Sequence, residues 1–220
     1  MCVIGISDKE FSELCKVFGT MNKFEKIFET YVSDIGIRDN DITSDIKLKM
    51  VEQTEVEKDD EAKIALHNDA IAGTCIKLLI QSGDDPDNEL TLVRKIQSTI
   101  YVPVNTIRQI VQNCRYRPWD KRFCISFLLL HEIGHVIDFG KYVGTPLSES
   151  KREIDSDKES LDKLIKSIDV DNNNGIWKSE DWIRINNHPI ELNANNNVGI
   201  TESDIKRFAR IMQRHIKVKL

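Results

Sequence analysis

The sequence predicts an α+β fold: a small twisted sheet packed on one buried helix, with further helices around it. Three observations carry this. Apolar residues recur at helical spacing over 8–31 and again over roughly 119–139. Short apolar, β-prone runs near 46, 74 and 98 are bounded by turn signals, as strands are. The stretch CISFLLLHEIGHVIDF, 124–139, is apolar around most of its circumference, which marks a helix buried in the core.

At 220 residues the chain is long enough for one domain with a real core. We expect a single domain over 1–220, with a helical N-terminal part at 1–45 and a charged insert at 141–187. The net charge of -5 argues against a nucleic-acid or membrane-surface binder, because phosphate recognition needs a basic face. The start, MCVIGISDKEF, lacks the basic and apolar regions of a signal peptide, and no uninterrupted apolar run reaches the length of a membrane span. Five cysteines, an odd number with no CxxC pair, favour free thiols in a reducing compartment. Richness in Ile, Lys and Asn points to an AT-rich bacterial or phage genome, so the expected setting is the cytoplasm, or the host cytoplasm for a phage protein.

The elements follow in order. Phe11, Leu14, Val17 and Phe18, then Phe24, Ile27, Phe28 and Tyr31, form helical stripes broken near Gly19. IKLKMV at 46–51 alternates as a strand does. KIALHND at 63–69 and TCIKLLIQ at 74–81 suggest a hairpin through AIAG, and SGDDPDN at 82–88 is a turn. NELTLVRKIQ reads as a short helix. STIYVPV at 98–104 reads as a strand, placed near an edge by Pro103. Asn105 is expected to cap a helix to 116. Pro118 and Asp120 open the central helix, which stops at Gly140. Residues 147–168 read as a solvated helix or an insert, 169–187 as Asn-rich loop, HPIELNANN as a short helix, and Thr201 or Ser203 as the cap of a last helix to about 217.

HEIGH carries the chemistry. His131 and His135, four apart on a helix, project from one face and can share a metal ion. Glu132, rotated about 100° from His131 around the axis, is poorly placed as a ligand and well placed as a general base on the metal's water. A buried helix bearing two histidines and a glutamate needs a partner for them. Gly134 leaves room for another backbone or a substrate. Zinc needs a third protein ligand. Asp138 lies a turn past His135, too far for easy tetrahedral closure; His188 precedes Pro189; Glu191 opens a short helix whose Ala194 permits close packing. HVIDFGKY departs from the metzincin pattern, which has Gly and a later ligand there.

HEIGH followed by Glu191-Leu-Asn-Ala194-Asn195 resembles the gluzincin-type pattern HExxH…ExxAN and is similar to the ImmA/IrrE-like zinc peptidases. The resemblance covers the two motif helices. It departs after the motif, at Asn196-Asn197-Val198, and in the 56 residues from His135 to Glu191. It implies a zincin-like fold, zinc held by His131, His135 and Glu191, Glu132 as the catalytic base, and Asn195 supporting the ligands from behind. The expected function is a zinc-dependent metalloprotease acting on a protein or peptide substrate. An extended peptide would lie on a strand edge such as that of STIYVPV, with Tyr142, His188 or an arginine stabilising the oxyanion. The alternative keeps the zincin scaffold as a non-catalytic binding or structural protein of a phage or toxin system. Finally, DVDNNNGIWKSE at 169–180 approaches an EF-hand loop, with Asp169, Asp171, Asn173 and Glu180 as calcium ligands, though its glycine falls one place late.

Overall fold

The computed structural model describes residues 2–3, 46–66, 70–81, 83–112, 117–172 and 177–212. The helical stripes expected over 8–31, the residues beyond 212, and His67 lie outside them. The described fold is α+β. Its strands are β1 (Cys2–Val3), β2 (Ile46–Val51), β3 (Gly73–Leu79) and β4 (Lys95–Pro103). They form a mixed sheet in the order β1-β2-β4-β3, with β2 parallel to β4 and β3 antiparallel to it. The helices are α1 (Gln53–Val56), α2 (Asp60–Ala65), α3 (Val104–Gln112), α4 (Pro118–Phe139), α5 (Leu147–Asp171), α6 (Ser179–Asn186), α7 (Pro189–Asn197) and α8 (Glu202–Met212).

Alternation dictates the layering. Ile46, Leu48 and Met50 of β2, with Ile100 and Val102 of β4, turn one face onto α3, α4 and α8, where Ile107, Ile110, Ile125, Leu128, Ile133, Phe208 and Met212 close the main core. Val51, Cys75 and Tyr101 face the other way, onto Ala62 and Leu66 at α2. By length and composition alone Pro118–Tyr142 would pass for a membrane span. Here 56% of its apolar window is buried inside the protein, as befits the central helix of a core.

Several expectations are corrected. Of the run 63–69, the described part to Leu66 is no strand: Asp59 accepts hydrogen bonds from the Glu61 and Ala62 amides and starts α2 instead, and β3 pairs with β4. NELTLVRKIQ is not helical, because β4 begins at Lys95 and Leu92 bridges to Pro146. STIYVPV is not at an edge: β4 runs between β2 and β3, and Pro103, as its last residue, costs the ladder little. Helix α3 starts at Val104, so Asn105 lies inside it. The charged insert is helix α5 out and α6 back, with helix continuing to Asp171 where loop was expected. Thr201 does cap α8: its hydroxyl accepts from the Asp204 amide while the Asp204 carboxylate accepts from the Thr201 amide.

Candidate metal centre

Helix α4 presents His131 and His135 on one buried face, as their i, i+4 spacing requires. Their rings meet edge to face at 4.7 Å between centroids, with His131 stacked over Phe127 and His135 over Phe139. Helix α7 crosses this face and brings Glu191 from its first turn. His131 Nε2 is 2.7 Å from Glu191 Oε2 and 3.2 Å from His135 Nε2, and His135 Nε2 is 3.6 Å from the same carboxylate oxygen. These ligand atoms lie within 4.8 Å of one another and could hold a metal ion; no other such group of His, Cys, Asp and Glu occurs among the described residues.

Close approach of the two helices makes this geometry. A methyl group at Gly134 would sit 2.0 Å from the Ala194 carbonyl oxygen, and Ala194 is itself fully buried. Glycine and alanine face each other because neither helix has room for more. The Asn197 side-chain amide donates to the Gly134 carbonyl oxygen at 3.2 Å and ties the C-terminal part of α7 to the same spot.

The electrostatics fit a cation. Burial alone would raise the Glu191 carboxyl, yet the two imidazoles beside it hold it well below the usual carboxylate range. Burial alone would depress the His131 imidazolium; the Glu191 carboxylate, with help from Glu132 and Asn195, instead pushes it up to about 9. An anionic carboxylate is thus kept in a largely enclosed place, at 12% side-chain exposure, with two imidazoles against it.

Glu132 is buried beside the group. The Thr74 hydroxyl, on β3, donates to Glu132 Oε2 at 2.8 Å and lies 3.3 Å from the Glu132 main-chain oxygen. Asn195, fully buried on α7, accepts from His131 Nδ1 at 2.8 Å. Asn195 therefore stands behind His131. Thr74 and Asn186, which bonds Asn195, were not singled out in the sequence. Each had a faint signal: Thr74 heads the apolar face that continues with Ile76 and Leu78, and Asn186 extends the stripe of Trp182 and Ile185.

The other candidates go elsewhere. Asp138 is 3.6 Å from Lys141 Nζ. His188 Nε2 is 3.1 Å from Ser160 Oγ. Tyr142 is buried among Val93, Ile96, Leu147 and Ile154. Among the described residues, Asp169, Asp171 and Glu180 do not form a ligand group. Asp169 and Asp171 lie on the last turn of α5, two residues and so about 200° apart around the axis. Asp169 Oδ1 accepts from the Trp177 indole at 2.7 Å, and Asp171 pairs with Arg184 at 3.3 Å. Glu180 is exposed in the first turn of α6, and Asn173 lies outside the described residues. Helix therefore continues through the first and third of the candidate calcium positions. No protein-family model, curated protein or solved structure matches the chain.

Proposed function

We propose that the protein is a zinc-dependent metalloprotease of zincin-like fold, akin to the ImmA/IrrE-like peptidases, that cleaves peptide bonds in a protein substrate. The observation that carries this reading is the meeting of His131, His135 and Glu191 at one point with Glu132 alongside. Ligand atoms at 2.0–2.1 Å from a tetrahedral zinc stand about 3.3 Å apart, and the separations of 2.7, 3.2 and 3.6 Å bracket that value. Two imidazoles and one carboxylate, with a fourth position left for solvent, is a donor set suited to catalytic zinc.

When bound, the metal would supply a Lewis acid for the scissile carbonyl and a water made acidic near neutral pH. The chain's own residues do the rest. His131 and His135 offer Nε2 and Glu191 its carboxylate. Thr74 holds Oε2 of Glu132, leaving Oε1 to accept a proton from the attacking water and return it to the leaving amine. The substrate strand belongs on β3, an outer strand of the described sheet that touches the base through Thr74. Main-chain pairing along Gly73–Leu79 would align an extended peptide beside Glu132.

Glu132→Gln tests this. The variant should keep its zinc by elemental analysis and lose hydrolysis of a denatured protein by about 10²-fold or more. Full activity in Glu132→Gln would sink the mechanism. A wild type that binds zinc but cleaves nothing would favour the non-catalytic scaffold.

A further inference from the structure

A chain of buried hydrogen bonds runs from helix α6 to the first histidine. The Asn186 side-chain amide donates to the Trp182 carbonyl oxygen at 2.8 Å. Asn195 Nδ2 lies 3.1 Å from Asn186 Oδ1, and Asn195 Oδ1 lies 2.8 Å from His131 Nδ1. Asn186, Asn195 and His131 are all buried.

The direction of this chain is fixed at its far end. A carbonyl oxygen can only accept, so the group of Asn186 that faces Trp182 must be its NH₂. Asn186 Oδ1 then faces Asn195 and can only accept, which obliges Asn195 to turn its NH₂ toward Asn186. Asn195 is left with its oxygen facing His131, and an oxygen there requires hydrogen on Nδ1. The Nε2 lone pair of a neutral His131 is thereby reserved for the side where His135 and Glu191 stand. An asparagine by itself sets no such preference, because a half-turn of its amide exchanges donor for acceptor at similar shape. The information comes from Asn186.

We infer that Asn186 is a positioning residue that fixes the amide orientation of Asn195 and, through it, the tautomer of His131 that can bind zinc. The inference rests on the metal-centre reading above and is independent of whether peptide bonds are cleaved. It assigns α6 a role in the site: the returning arm of the insert between the two motifs orients a ligand it does not touch. Ligand-supporting hydrogen bonds of this kind are worth about 10–100-fold in metal affinity.

The test is a double-mutant cycle read as zinc affinity of the full chain, by competition with a chromophoric chelator, with thermal melts to establish folding. Asn186→Ala should weaken zinc by about 10-fold. In the Asn195→Asp background the same change should cost no affinity, because either carboxylate oxygen accepts from His131 Nδ1, no orientation needs to be imposed, and losing Asn186 Oδ1 removes an acceptor set against the carboxylate. Asn186→Leu, which fills a similar volume with no hydrogen-bonding group, should weaken zinc to the same extent. Wild-type affinity in Asn186→Ala, or an equal loss in both backgrounds, would overturn the inference and leave Asn186 a packing residue. Wild-type affinity in Asn186→Leu would overturn it too, whether or not Asn186→Ala folds. A wild type that binds no zinc would refute the metal centre itself, and that outcome is visible before any variant is made.

Discussion

A methyl group at residue 134 would meet the Ala194 carbonyl oxygen at 2.0 Å, and the atom in the way is main chain, which cannot rotate aside. Gly134→Ala should therefore push α7 off α4. Overpacking of this sort costs about 1–3 kcal/mol, and it should appear as a lower melting temperature together with weaker zinc binding, since Glu191 rides on the displaced helix. A variant with unchanged stability and zinc affinity would contradict the close packing. At this scale the sequence was informative where chemistry is local. His131, Glu132 and His135 lie within one turn or so of a single helix, so their spacing fixes their faces. Thr74 and Asn186 reach the site from other elements, and nothing in their own neighbourhoods says what they will touch.

Elements were legible where the pattern was long and failed where it was short. Helix α4 was bounded correctly because Pro118 and Gly140 punctuate a long apolar stretch. At 63–66 the sequence misleads because a brief apolar run suits a strand or a helix equally, and Asp59 decides between them. That cap is also held from the sheet: Lys49 Nζ is 3.1 Å from Asp59 Oδ2. Burial alone would raise the Asp59 carboxyl, but the bonds from Lys49 and the α2 amides outweigh it and lower it below its ordinary 3.8. A depressed carboxyl stabilises the fold above its unfolded pKa and loses that contribution as pH falls through the folded value. Asp59→Ala should thus cost about 1 kcal/mol at pH 7. In denaturant titrations the gap to the wild type should narrow as pH drops below about 4. A gap that stays constant down to pH 2 would assign the effect to something other than the charged cap.

Across the whole molecule, the candidate metal centre depends on closing a long excursion. The chain leaves α4, runs out along α5, which at 25 residues is about 37 Å long, and returns through α6 to lay α7 across the two histidines. Trp182 on α6 packs edge-on against Phe208 of α8, 5.8 Å between centroids, and Phe208 stacks on Phe127 one turn before His131. The returning arm is thereby seated on the same core as the ligands. A ligand shared between α4 and α7 should stabilise this closure. Zinc at 100 times its dissociation constant should add about 2.7 kcal/mol, seen as a higher melting temperature that a chelator reverses. Glu191→Ala should lose most of that response, and a response of undiminished size would place zinc elsewhere.

By itself the sequence determined what is periodic or adjacent along the chain: an α+β composition of elements, a buried central helix, and two histidines with a glutamate on it. Its ELNAN motif also singled out Glu191 as the partner. Only the tertiary structure decided that β4 lies inside the sheet with β3 outside it, that Asp169 and Asp171 lie on the last turn of a helix, and that Glu191 crosses 56 residues to meet His131 and His135. The physical reason is the same in each case. Backbone geometry turns local spacing into a face or a turn, whereas strand order, helix persistence and the meeting of distant side chains are settled by packing among elements, which local spacing does not encode.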